Sequence, residues 1–336
     1  MKRPLRSLPA SSPPAPLVAG AGAPRIAVDL LGGDGAPAVV VDGALHACSA
    51  DPELNLLLVG PQVDADEVVG VLGIGAGHRV TTLAAYGAVG MSDPPVRAVR
   101  QNTTVQSAVG ALRAGTAHAL VSAGASGAVV TAAAHGLGRF PGVRRPVLAA
   151  TLPSLAGPVV LLDVGASTDV SAFDLAWHAV LGAGYATIVE GVVRPRVGLL
   201  SIGVEAGKGD RLRRAVAADL ARLALPFGGS YVGLVEGDDV ARGGPADVIV
   251  TDGFTGNVLL KGIEGAYALA AGRGAAPVAV PRAAALLGVG GTVVVCHGAA
   301  TGPDVAAGIA LAARLYRMEV SVRLAAVARE TPVEAR

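Results

Sequence analysis

At 336 residues the chain is long enough for one large or two closely joined α/β domains around a well-buried core. Hydrophobic residues make up 52% of it and aromatic ones only 3%, so the core is built from Ala, Val and Leu; the 47 glycines suit many strand-to-helix turns. A net charge of +1 excludes a global attraction to nucleic acid or to an anionic membrane, so any charged partner must be recognised locally. Cys48 and Cys296 lie in different motifs without metal-ligand spacing, as expected of a reduced, cytoplasmic protein with no metal centre.

Residues 1–24 carry Lys2, Arg3 and Arg6 and then Pro9, Pro13, Pro14 and Pro16, which interrupt the apolar segment a signal peptide needs. A disordered Pro/Ala-rich tail is expected there. From Arg25 onward, short apolar runs alternate with longer amphipathic stretches. Strands are expected at 26–30, 54–59, 79–83, 119–122, 147–151, 159–163, 197–202, 246–251 and 292–296. Helices are expected between them at 36–47, 105–114, 127–137, 171–189, 211–223, 255–271 and 303–318. This alternation predicts a three-layer αβα architecture with a mostly parallel sheet. Residues 152–157 (LPSLAG) read as a hairpin connection through Pro153 and Gly157, and no repeat of fixed period is present. The weakly charged stretch 114–138 is Gly, Ala, Ser and Thr rather than Leu and Ile, which fits a buried strand–turn–helix unit better than a membrane span.

Five glycine-rich turns offer places for an anion. In DLLGGDGAP, Asp29 ends a strand and Gly32, Gly33 and Gly35 leave backbone amides free; Asp29 and Asp34 either orient donors or cap the turn and the next helix. SAGASGA (122–128) runs a strand into a helix start through Gly124, Ser126 and Gly127, a good anion nest but a weak motif alone. IGVEAGKG sets Lys208 between Gly207 and Gly209, either against phosphate or as an exposed turn lysine; it lacks the spacing of a nucleotide-binding P-loop. TDGFTGNVLLKGIEG (251–265) follows a buried strand, and its Asn257 and Lys261, four apart, share a helix face near the turn's mouth. Here Thr255 serves either as a cap or as a ligand to phosphate. HGA (297–299) follows the last strand; His297 either meets the substrate or bonds a backbone carbonyl. Adjacent strand residues point to opposite faces, so Cys296 and His297 are not expected to form a dyad. In the helix 211–223, Leu212, Val216, Leu220 and Leu223 recur at helical spacing, so Arg211, Arg214 and Arg222 face away from the core, as a solvated face or a dock for an acidic partner.

Taken in order, RIAVDLLGGDGAP, ATLPSLAGPVVLLDVGA, GLLSIGVEAGKG and TDGFTGNVLLKGIEG resemble the bacterial phosphate acyltransferases, the PlsX family, over a span from about Arg25 to about Met318. The resemblance implies a two-lobed fold like that of isopropylmalate dehydrogenase and phosphotransacetylase, a homodimer, and transfer of a fatty acyl group from acyl carrier protein to inorganic phosphate for phospholipid synthesis. It implies no metal or nucleotide cofactor. Residues 25–320 would form this module and 321–336 a C-terminal tail. The implied catalytic set is Lys208, His297, Asp252, Asn257 and Lys261. Phosphate and substrate contacts would come from Asp29, Gly32, Gly33, Asp34, Gly124, Ser126, Gly127, Gly207, Gly209, Thr255 and Gly256, with Arg211 and Arg214 docking the carrier.

Several polar positions depart from that pattern. An amide side chain usual in the family is Ala125 here, small hydroxyl residues after the histidine are Ala299 and Ala300, and a polar segment reads Leu234 and Val235. The long basic amphipathic insertion usual after Lys261 is reduced to a stretch broken by Gly272, Gly274, Pro277 and Pro281, which predicts membrane contact weaker than the family norm or absent. Two other readings follow: a related thioester–phosphate exchange in another pathway, or a non-catalytic paralogue that binds acyl carrier protein. A nicotinamide dehydrogenase is disfavoured, because no G-x-G-x-x-G opens a βα unit with an acid at the right distance.

Overall fold

Val- and Leu-rich runs too short for helices form the strands of one sheet, because buried backbone must find its hydrogen bonds in a ladder. The computed structural model describes residues 23–333 apart from 65, 67, 69, 72–76, 101 and 275–280. The expected N-terminal tail therefore lies almost wholly outside the described residues. The strands are β1 (Arg25–Asp29), β2 (Asn55–Gly60), β3 (Val80–Ala84), β4 (Ala119–Ser122), β5 (Val147–Leu152), β6 (Val159–Leu162), β7 (Arg196–Leu200), β8 (Ser230–Val235), β9 (Val248–Val250), β10 (Ala283–Leu287) and β11 (Thr292–Cys296). They lie in the order β3-β2-β1-β4-β11-β10-β5-β6-β9-β7-β8.

Two parallel blocks make up the ends of this sheet. One is β3-β2-β1-β4-β11 and the other is β6-β9-β7-β8. Between them β10 runs antiparallel to both β11 and β5, and β5 antiparallel to β6. The two blocks consequently run in opposite directions, and the expected hairpin at 152–157 joins β5 to β6.

Nine helices of more than one turn flank the sheet among the described residues where both ends are placed: α1 (Ala38–Ala50), α2 (Thr104–Arg113), α3 (Ser126–Gly136), α4 (Ala172–Glu190), α5 (Arg211–Leu220), α6 (Gly237–Arg242), α7 (Gly253–Gly272), α8 (Gly302–Arg317) and α9 (Val320–Glu330). The strands alternate side chains between two cores. Ile26, Val28, Leu56, Leu58, Leu162 and Val250 meet α1, α4, α5, α8 and α9 on one face. Ala27, Val59, Leu120, Leu148, Leu161 and Ile249 meet α2, α3 and α7 on the other. This is the three-layer αβα architecture, with a mostly parallel sheet. Helix α4 alone among the described residues has the length and apolarity to cross a membrane, but 83% of its apolar window is buried inside the protein, so it is a core helix.

Three elements differ from expectation. The segment read as a C-terminal tail instead forms α9, which buries Val320, Leu324 and Val327, with Leu324 against Gly184 of α4. Strand β8 escapes a period-based reading because SYVGLV is interrupted by Gly233 and half-exposed. Strand β10, AAALL, carries helix-favouring residues between Pro281 and Gly288, and it becomes a strand because β11 and β5 flank it.

Candidate active site

The ends of β1, β4 and β11 meet in one layer of loops. Asp29 is buried and accepts a hydrogen bond from the Ser122 hydroxyl at 2.7 Å, while the Gly124 amide donates to that same hydroxyl oxygen at 3.0 Å. Burial pushes the Asp29 carboxyl above its ordinary value, against hydrogen bonds from Thr104, Ser122 and the Leu31 amide. Any side chain at Gly32 would collide with Asp29, Ser122 and the Gly124 amide, so the two loops pack backbone to backbone. The Asp34 amide donates to the Gly298 carbonyl at 2.8 Å, and Gly33 packs against Ala123 and Gly298. Asp29, Gly32, Gly33 and Asp34 thus form the scaffold that fixes the loops carrying Gly124 and Gly298. At the start of α3, Ala125 supplies no side-chain cap. The first-turn amides at Ser126 and Gly127 are then left for other partners, at the positive end of the helix.

The second half contributes the turn after β6 and the helix after β9. Asp163 is fully buried and gathers four amides: Leu148, Gly165 and Ala166 donate to Oδ1, and Ser167 to Oδ2, at 2.8–3.2 Å. Burial still dominates and holds its carboxyl up at about 6. Gly165 has φ +133°, a backbone that glycine tolerates and other residues resist. Helix α7 starts flush against this turn, because a side chain at Gly253 or Gly256 would overlap Ser167 or the Asp163 carbonyl. That contact aims Asn257, whose Nδ2 donates to the Val164 carbonyl at 3.0 Å. Ser126 reaches the Gly165 carbonyl from α3 at 3.4 Å and so spans the two halves.

A second link between the halves is a ring of three polar side chains. Lys261 Nζ stands 2.9 Å from His297 Nδ1, His297 Nε2 stands 2.6 Å from Glu264 Oε1, and Glu264 Oε2 lies 3.1 Å from Lys261 Nζ. Burial alone would raise the Glu264 carboxyl, but His297 and Lys261 outweigh it and hold the group below its ordinary value. Cys296 points to the opposite face, against Gly308 and the Asp304 carbonyl, and burial pushes its thiol up to about 12. Cys296 is therefore no partner for His297.

Between these groups opens a cleft of about 100 Å³. Its floor is apolar, from Leu148, Ala150, Val164, Leu260, Ala284 and Val295, and its polar groups are Ser126, Asn257 and His297 with the backbone of Gly124 and Gly298. Such a site suits a ligand with an apolar tail and an anionic or carbonyl head.

Other expected site residues stand elsewhere. Asp252 caps α7 through the Thr255 amide and hydroxyl at 2.9 and 2.8 Å, and pairs with the buried guanidinium of Arg213. Both Asp252 and Thr255 are therefore occupied by capping. Burial opposes ionisation of Asp252, but Thr255 and Arg213 outweigh it and hold its carboxyl below the ordinary value. Lys208 lies outside the cleft lining, half-exposed and 3.9 Å from Glu205, in the loop between Gly207 and Gly209. Arg211 and Arg214 are exposed, and Arg214 bonds the Gly209 carbonyl.

Three residues that sequence reasoning passed over organise this region. Arg213 bonds Asp210, Asp252, Thr251 and the Leu200 carbonyl. Its signal was its spacing of three and seven from Val216 and Leu220, which puts a cation on the buried stripe. Glu264 follows Asn257 by seven and Lys261 by three, on one helix face. Asp163 had no signal beyond its place at the end of a strand.

Comparison with known proteins follows the same lines. The profile of the family described as "Fatty acid synthesis protein" matches residues 24–272. A phosphate acyltransferase of Bacillus anthracis is 40% identical over 244 residues, covering 72% of this chain and 71% of that protein. One from Lacticaseibacillus casei is 41% identical, covering 72% and 69%. In fold, the chain is similar to a phosphotransacetylase from Streptococcus pyogenes (TM-score 0.58, 17% identity, 91% of this chain and 94% of that one). It is also similar to a 4-hydroxythreonine-4-phosphate dehydrogenase from Klebsiella pneumoniae (TM-score 0.53, 13% identity, 89% and 99%). With the family profile over most of its length and relatives at this identity, the chain belongs to the phosphate acyltransferase (PlsX) family of acyl-transferring enzymes.

Proposed function

We propose that the protein transfers a fatty acyl group from acyl carrier protein to inorganic phosphate, giving acyl phosphate for phospholipid synthesis. The observation that carries this reading is the cleft itself, an apolar floor on the sheet under a rim with His297, Asn257 and the uncapped start of α3, with Lys261 held against His297. The floor takes the start of the acyl chain, the α3 amides and the Lys261 ammonium take phosphate, and Asn257 supplies a neutral donor near the thioester carbonyl. Hydrogen phosphate is a competent nucleophile and a thiol is a good leaving group, so the protein's work is alignment and charge stabilisation.

Arg211 and Arg214, both exposed, are the proposed dock for the acidic carrier. The apolar face of α7 and its start, with Phe254 64%, Val258 57% and Leu269 58% exposed, supports a homodimer through this helix. The test is to incubate the purified protein with acyl carrier protein thioester, with and without phosphate, and trap the product with hydroxylamine. Hydroxamate that forms only with phosphate supports the assignment; thioester loss that ignores phosphate indicates a hydrolase.

A further inference from the structure

Transfer to phosphate has a proton to dispose of. Hydrogen phosphate brings one, acyl phosphate at neutral pH does not keep it, and the departing thiolate needs one. Resting on the acyl-transfer reading above, we propose that His297 carries this proton from phosphate to sulfur and that Glu264 is the residue that positions and polarises it. In the step, a phosphate oxygen forms a bond to the thioester carbonyl carbon and the C–S bond breaks, with its electron pair leaving on sulfur. His297 Nδ1 accepts the phosphate proton and returns it to that sulfur. Acyl phosphate and free thiol result, with no change in total charge and no other reactant.

The ring of contacts fixes how the imidazole is used. Lys261 is an ammonium and only donates, so at 2.9 Å it meets a lone pair on His297 Nδ1. The proton of the neutral ring then sits on Nε2, which donates to Glu264 Oε1 at 2.6 Å. Glu264 thus selects the tautomer whose basic nitrogen shares a position with the phosphate-binding lysine. An arriving phosphate dianion offers the flexible Lys261 a stronger partner than imidazole and frees Nδ1 beside the nucleophile. Proton return makes the ring transiently cationic, and the Glu264 carboxylate stabilises that form. The surrounding elements add little charge. Asp34 lies beside Gly298, while Asp304 is held by Arg282 at 2.8 Å and the Thr301 hydroxyl at 2.8 Å. Cys296 faces away.

The experiment compares wild-type protein with Glu264→Gln, Glu264→Asp and His297→Asn on two acyl donors, the carrier protein thioester and an aryl thioester whose thiolate leaves without a proton. On the carrier donor, Glu264→Gln is expected to lower kcat about 10- to 100-fold with phosphate KM changed less than about threefold. The acid limb of its pH profile moves to lower pH, because an imidazole without its carboxylate is a weaker base. On the aryl donor the deficit shrinks to less than about threefold. Glu264→Asp recovers part of the rate, and Tm stays within a few degrees throughout. Equal losses on both donors with the pH profile in place make Glu264 a structural clamp and overturn the proposal. Wild-type protein that leaves the thioester intact in phosphate removes the acyl-transfer reading, and the proton pair with it.

Discussion

Arg213, on the first turn of α5, and Asp252, the cap of α7, form an ion pair whose side chains are only 9% and 10% exposed. The pair ties together the two helices that follow the adjacent strands β7 and β9. Breaking such a pair strands a charge in the interior, so Arg213→Ala is expected to cost about 3–5 kcal/mol in chemical denaturation. The Asp252 carboxyl lies below its ordinary value in the folded state, so its contribution is present above the unfolded value of 3.8 and is lost as pH falls below that. Asp252→Asn should therefore flatten the acid side of the stability profile while lowering stability at neutral pH.

Lys261 separates binding from folding. Its ion pair with Glu264 is half-exposed on the lysine side and contributes little to stability. Lys261→Ala should leave the melting temperature nearly in place while lowering kcat/KM for phosphate about 10- to 150-fold, the loss of one charge-assisted contact. Steady-state kinetics with phosphate varied decide it. Lys208→Ala, made in parallel, should leave the phosphate response close to wild type, because Lys208 lies beside Glu205 in its own loop, whereas Lys261 meets the cleft-lining His297.

How much of this site was legible beforehand depended on range. Asn257, Lys261 and His297 announce themselves through local motifs, and the nine expected strands through runs of buried residues. The Arg213–Asp252 pair joins positions 39 apart, and Glu264 meets His297 across 33. A sequence displays such residues singly, as an arginine in a polar helix and a glutamate beside a lysine, and only the folded sheet shows the distant partner each one meets. Strand β10 was hidden for the same reason: its residues favour a helix, and its neighbours in the sheet decide otherwise.

Gly256 offers a test of how closely α7 must approach the Asp163 turn. A methyl group there would overlap the Asp163 carbonyl oxygen, which belongs to the backbone and cannot swing aside. Gly256→Ala is expected to cost about 3 kcal/mol, the upper end for overpacking, and to lower activity by displacing Asn257 and Lys261. A thermal melt and a kinetic assay on the same sample measure both.

Chain length is set, on the proposed reading, by the small side chains of the cleft floor. Ala150→Phe should lower kcat/KM for long acyl donors about 10-fold or more and for short ones less than about threefold. A series of carrier thioesters of increasing length tests this, and a uniform loss at all lengths would place the acyl chain elsewhere.

Carrier docking is the last prediction. Arg211→Glu with Arg214→Glu should raise KM for acyl carrier protein several-fold, and weaken its dependence on salt, without altering KM for phosphate. Unchanged carrier kinetics in that double variant would move the dock to another face.

The reversal of strand direction in the middle of the sheet has a consequence for what evolution or an engineer can change. A parallel connection must carry its chain back over the sheet and normally lays a helix on it, whereas β5–β6 and β10–β11 turn back on themselves and need no such cover. The cleft opens over this stretch of sheet, between the starts of α3 and α7, with Leu148, Ala150, Ala284 and Val295 in its floor. These four side chains stand on strands, not on the crossover helices that hold either half together. On the proposed reading, the acyl pocket can therefore be deepened, narrowed or lengthened by exchanges on β5, β10 and β11, with the frame that would align phosphate and thioester left as it stands.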